Sequence, residues 1–165
     1  MALPFRLSEG IFLEDIQVLL PWGTPREQLR EIASPEVHAS SPGRVAYTWR
    51  DHRCLGGQTS ILYAEFFDRS VHGIELFQDR YFKYMTLYLC AFLDVYNPRK
   101  TYDETRAYLI DVLGVPAESV DYRASHGYPS TRWECDTIKV ELYIYDKNGD
   151  VFHLGISKHY NEEPG

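Results

Sequence analysis

The chain has 165 residues, 44% of them hydrophobic and 25% charged, with a formal net charge of -7. That length suits one domain, or two small packed units, and buries enough surface to hold a core without disulfides or metal. The acidity disfavours direct contact with a nucleic-acid backbone and steers the protein toward a cationic partner.

The first apolar stretch, 11–20, is interrupted by Glu14, Asp15 and Gln17, which excludes a signal peptide or membrane span. Phe12, Ile16 and Leu19 stand at helical spacing, so a helix is expected over 8–20. A second helix is expected from Thr24 to about Ala33. Thr24 and Glu27 have capping-box spacing, and Pro25 falls at the first helical position. Strands follow over 44–50, 60–67 and 73–77, with loops over 34–43 and 51–59.

The order then starts again. Phe82, Met85, Leu89, Phe92, Leu93 and Tyr96 predict a helix over 79–96. Thr101 and Glu104 repeat the capping-box spacing and open a helix that runs through Leu113 to Gly114. After a loop over 116–130, strands are expected over 131–135, 137–145 and 151–158. Asp146-Lys147-Asn148-Gly149 supplies the hairpin turn between the last two. The P-x-x-T-x-x-E of Pro21 to Glu27 recurs from Pro98 to Glu104, and Leu62 to Asp68 matches Val140 to Asp146. Recurrence of two separate segments points to a duplication. The expected fold class is therefore α+β: two tandem ααβββ repeats, 1–78 and 79–165, forming one continuous domain with helices on one face of an antiparallel sheet.

This element order resembles the β-lactamase inhibitor protein architecture. The P-W-G-T turn beginning at Pro21 is similar to small bacterial immunity proteins of toxin–immunity systems. The resemblance implies a class of function: a protein that binds and blocks another protein, here expected to be a cytoplasmic immunity protein occluding a bacterial toxin.

Strand alternation assigns a surface to that role. Leu62, Ala64 and Phe66 share one face with Val140, Leu142 and Ile144, an aliphatic face for the helices to cover. Tyr63, Glu65, Phe67, Glu75, Glu141, Tyr143, Tyr145 and His153 share the other. Aromatic residues there serve either as cross-strand pairs or as interface anchors. The carboxylates are expected to meet Lys or Arg on a partner with a basic surface. Trp49 and Trp133, at comparable places on their strands, are expected in the core, and Trp22 in packing at the helix-entry turn.

No phosphate-binding loop, dinucleotide fingerprint or nucleophile elbow is present. Ser125 and His126 are neighbours without an orienting acid. His52 and Cys54 lack a second ligand pair, so neither a metal nor a cofactor is expected. Cys54, Cys90 and Cys135 form no C-x-x-C pair, which fits a reducing, cytoplasmic setting. Two alternatives use the same face. One is an enzyme or small-ligand binder built on its Glu, His and Tyr residues; the other is a module that self-associates through its aromatics.

Overall fold

The computed structural model describes residues 3–72, 74–120 and 128–159. The fold it shows is mainly antiparallel β. A hairpin pairs β1 (Gly10–Leu13) with β2 (Val18–Pro21). One large sheet carries β3 (Glu36–Ser41), β4 (Arg44–Cys54), β5 (Gln58–Val71), β6 (Ile74–Gln78), β7 (Tyr84–Leu89), β8 (Glu118–Val120), β9 (Ser130–Cys135), β10 (Ile138–Asp146) and β11 (Asp150–Lys158). Its order is β3-β4-β5-β7-β11-β10-β9-β8, with β6 pairing the far end of β5. The helices are α1 (Arg26–Leu29) and α2 (Pro98–Leu113).

Two of the four expected helices are strands instead, so the ααβββ tandem-repeat architecture does not form. The 8–20 segment is the β1–β2 hairpin, whose turn includes Gln17 at φ 55°, a left-handed conformation that no helix interior accepts. Most of the decision over 79–96 is taken by β7. Met85, Leu87 and Leu89 are buried, while Tyr84, Thr86 and Tyr88 point the other way. That strict period of two, in a segment rich in Tyr and Thr, outweighs the three- and four-residue steps also present in the same sequence. A short 3-10 turn, Cys90–Phe92, follows.

The two P-x-x-T-x-x-E segments do different jobs. At the first, the Thr24 hydroxyl donates to the Pro21 carbonyl at 2.7 Å and caps nothing, and α1 stops after one turn. At the second, Asn97 is the N-cap, accepting from the Lys100 N–H at 3.1 Å, with Pro98 at the first helical position. Thr101 lies a turn inside, where its Oγ1 accepts from the Asp94 N–H at 2.8 Å. Asn competes better for the cap because its carbonyl reaches the N3 donor directly, and Pro98 fixes where the helix begins. The helix ends as its sequence indicates, at Gly114 with φ 89°.

The strands lie where alternation places them, although β4 and β5 run further than expected. Strands β3 and β8 form within stretches rich in loop residues. On one face Tyr47, Trp49, Leu62, Ala64, Phe66, Met85, Leu87, Val140, Leu142, Leu154 and Ile156 make a continuous buried layer. It is covered by Tyr102 and Leu109 of α2, by Ile11, Leu13 and Leu20 of the hairpin, and by Leu7, Leu29 and Phe82. Both core tryptophans are buried with the indole N–H satisfied. Trp49 donates to the Ile32 carbonyl just beyond α1, and Trp133 to the Gly114 carbonyl at the end of α2, each at 2.9 Å. Trp22 stacks on Phe82 at 4.7 Å and donates to the Leu7 carbonyl.

An acidic clasp holds the β1–β2 hairpin to the β4–β5 turn. The Glu14 carboxylate accepts from the N–H groups of Gly56 and Gly57 at 3.0 and 2.6 Å. Both glycines have φ 86°, and with Leu55 at φ 52° they turn consecutive amides toward one acceptor. Asp15 accepts from the Arg53 N–H at 2.8 Å and bonds His52 Nδ1 at 2.9 Å. Partial burial pushes the Asp15 carboxyl up, but these hydrogen bonds outweigh it and hold it below its ordinary value.

Two outcomes follow from the clasp. Glu14→Ala should lower the free energy of unfolding by about 1–3 kcal/mol, since it removes two hydrogen bonds to a charged acceptor; denaturant titration measures this. The stability that Asp15 contributes is present above the unfolded carboxylate range and lost as pH falls below about 4, through its depressed folded value. Asp15→Asn should therefore flatten the acid limb of a stability–pH curve, whereas an unchanged limb would remove this role.

Candidate functional site

The second face of the large sheet is not covered by either helix. Cross-strand register sets a row along it: Thr48 of β4, Tyr63 of β5, Thr86 of β7, Gly155 of β11, Glu141 of β10 and Arg132 of β9. The two middle members are small, so larger side chains rise on either side of them.

On the β5 side, the Tyr63 hydroxyl donates to Glu65 Oε2 at 2.8 Å. Arg44 bonds the other Glu65 oxygen at 2.9 Å while its guanidinium lies 4.1 Å over the Phe67 ring. The His38 ring of β3 sits 6.3 Å from that of Tyr63. Burial, then the bond to Glu65, pushes the Tyr63 hydroxyl up.

On the β10–β11 side, four rings contact one another in sequence. His153 lies between Tyr84, at a centroid distance of 5.9 Å, and Tyr143, at 4.8 Å; Tyr145 follows at 5.9 Å from Tyr143. The Tyr84 hydroxyl meets His153 Nε2 at 2.5 Å. The absent side chain at Gly155 makes this possible, because a Cβ there would collide with the Tyr84 hydroxyl. Burial raises the Tyr84 and Tyr143 hydroxyls, reinforced by the nearby Glu141 carboxylate, and lowers the His153 imidazole against the opposing pull of Glu141. Both partners are thus held in their neutral forms, and the imidazole tautomer decides which of them donates. Glu141 itself is bonded to Lys139 at 2.8 Å.

The sequence-derived residues thus fall on one surface in two groups, Tyr63, Glu65 and Phe67 on β5, and Glu141, Tyr143, Tyr145 and His153 on β10 and β11. Strand β7 lies between them and supplies Tyr84 and Tyr88, both absent from the sequence-derived set. The alternation of Tyr84, Thr86 and Tyr88 with Met85, Leu87 and Leu89 was the signal that could have found them. Gly155, Arg44, Lys139 and His38 were also missed. The first leaves no trace in side-chain patterning, and the other three depend on pairing register. The Glu75 side chain lies outside the described residues, as do Ser125 and His126.

Cys54 is buried with its thiol pushed up to about 12, the opposite of an activated nucleophile. No group of three or more His, Cys, Asp or Glu among the described residues is placed to hold a metal ion. No described helix is long and apolar enough to cross a membrane. A cavity of about 70 Å³ opens beside Ser130, Arg132, Glu141 and Tyr143. Pockets that enclose a small molecule usually measure about 300–1,000 Å³, so this one suits water or a single projecting side chain. Comparison with protein-family models, curated proteins and solved structures finds no match.

The Gly155 contact gives a direct test of the ring stack. Gly155→Ala should displace Tyr84 and expose His153, so the imidazole titration followed by NMR should rise toward its ordinary value of about 6.5. A midpoint that stays depressed would show that Tyr84 does not shield it.

Proposed function

We infer that this chain is a protein-binding inhibitor that works by occlusion, placing the open sheet face against a basic region of another protein. The observation that carries this reading is the band of aromatic side chains crossing four neighbouring strands, from Tyr63 on β5 through Tyr84 and Tyr88 on β7 and His153 on β11 to Tyr143 and Tyr145 on β10. Tyr84 and Tyr145 are 39% and 37% exposed. Rigid aromatics of this kind anchor interfaces because they bury large area and lose little conformational freedom. Their stacking and hydrogen bonding hold them in place before any partner arrives.

The partner class we propose is a bacterial toxin, to which the protein confers immunity inside the producing cell. The resemblance of the Pro21 turn to immunity proteins supports that class, and the net charge of -7 fits a cationic target. Glu65 and Glu141 are already paired with Arg44 and Lys139. They therefore act by exchanging an internal cation for one on the partner, which tunes specificity and on-rate more than affinity. The aromatics supply the affinity.

Co-expression with toxins from the native host, beginning with the product of the gene upstream, tests the reading. The parent chain should rescue growth and bind the toxin. Tyr143→Ala or Tyr84→Ala should cost about 2 kcal/mol or more, roughly thirtyfold in Kd. Rescue and affinity unchanged in both variants would move the contact off this face.

A further inference from the structure

The two ends of the large sheet are built differently. At one end β8 has three residues, and a very short edge offers little to pair with. At the other end β3 has six residues, all of them exposed. Edge strands in native proteins are commonly guarded by lysine, proline or a bulge. Here Pro35 stands just before the strand and the bulge lies between Ala39 and Ser41. Those devices bound the stretch 36–39 and leave it open. Val37 there is 41% exposed, although it projects on the same side as the buried Tyr47 opposite it.

We propose that β3 pairs antiparallel with β3 of a second copy of this chain, about a two-fold axis through the Val37 pair. The strand is self-complementary in that register. Val37 of each copy packs against Val37 of the other on the core side of the sheet. On the open side, Glu36 of each copy, which also accepts from Arg50 of its own chain at 3.3 Å, faces His38 of the other, so the axis generates two acid–histidine pairs and no like-charge pair. The Pro35 and bulge positions coincide with the ends of the pairing, where a missing donor and a broken register cost nothing. A two-fold axis perpendicular to the sheet keeps both helical layers on one side. The two open faces then join edge to edge as one surface with the His38–Tyr63 contacts nearest the axis. A contact of one short strand is smaller than a standard stable interface, so the dimer is weak and concentration-dependent.

The test needs no partner protein, so its result is independent of the toxin reading. Sedimentation velocity of the full chain, from micromolar to millimolar concentration, should show the mass rising from 19.2 kDa toward twice that value. Val37→Lys sets like charges across the axis and His38→Glu faces a carboxylate with Glu36; both should stay monomeric where the parent dimerises. Adding Glu36→Lys to His38→Glu, together with Arg50→Glu so that position 36 keeps an opposite internal partner, reverses the pairing and should restore the dimer. These positions are exposed, and an unchanged circular dichroism spectrum checks that each variant folds. Oxidised Val37→Cys gives a second readout, a cross-link between the two positions 37 identified by peptide mapping. A parent monomeric at all concentrations overturns the proposal. So does a dimer that ignores both single substitutions, or one that the charge reversal fails to restore.

Discussion

Strand β7 is hydrogen-bonded along both edges, to β5 on one side and β11 on the other, and the rest of the structure depends on that double pairing. Its inward residues Met85, Leu87 and Leu89 carry the apolar layer across the centre of the sheet. Its outward residues Tyr84, Thr86 and Tyr88 do the same for the aromatic band. Without β7, the β3–β5 and β8–β11 groups would be two small sheets, each with an unguarded central edge. One six-residue element thus decides both that there is a single core and that there is a single open face.

The sequence made the strands and both true helices legible but added two helices that do not form, for a physical reason. Alternation along Leu62 to Phe67 and Val140 to Tyr145 has one reading, because apolar and polar positions separate cleanly at period two. Around 79–96, apolar residues occupy so many positions that three- and four-residue steps occur alongside alternation. Only tertiary pairing breaks the tie. The P-x-x-T-x-x-E match was misleading in the same way: Thr24 and Thr101 share a motif, yet one bonds back to Pro21 and the other to Asp94. Half of the candidate site was legible, since Tyr63, Tyr143, Tyr145 and His153 follow from alternation alone. Tyr84 was masked by the helical steps that overlap its alternation, and Gly155 by a register that joins distant segments.

The open face is less acidic than its parent chain. Arg44 neutralises Glu65 and Lys139 neutralises Glu141, leaving the aromatic rings among internally balanced pairs. Exposed pairs of this sort add little to stability, about 0–1 kcal/mol each. Their larger effect is on geometry. Arg44 holds Phe67 from above, and Glu65 fixes the Tyr63 hydroxyl, so the rings keep their relief without support from a covering layer.

The place of β7 in the chain also sets a timetable. Its β5 neighbour precedes it closely, but β11 lies at the far end of the sequence, after α2 and the β9–β10 hairpin. During synthesis at about 5–20 residues per second, the β7 edge waits on the order of several seconds before β11 emerges to close it. For that interval the nascent chain presents a free, aromatic-rich strand, and long-range pairing of this kind folds slowly even once complete. The interval belongs to the ribosome, and whatever shields nascent β-edges there has to cover this strand until β11 arrives.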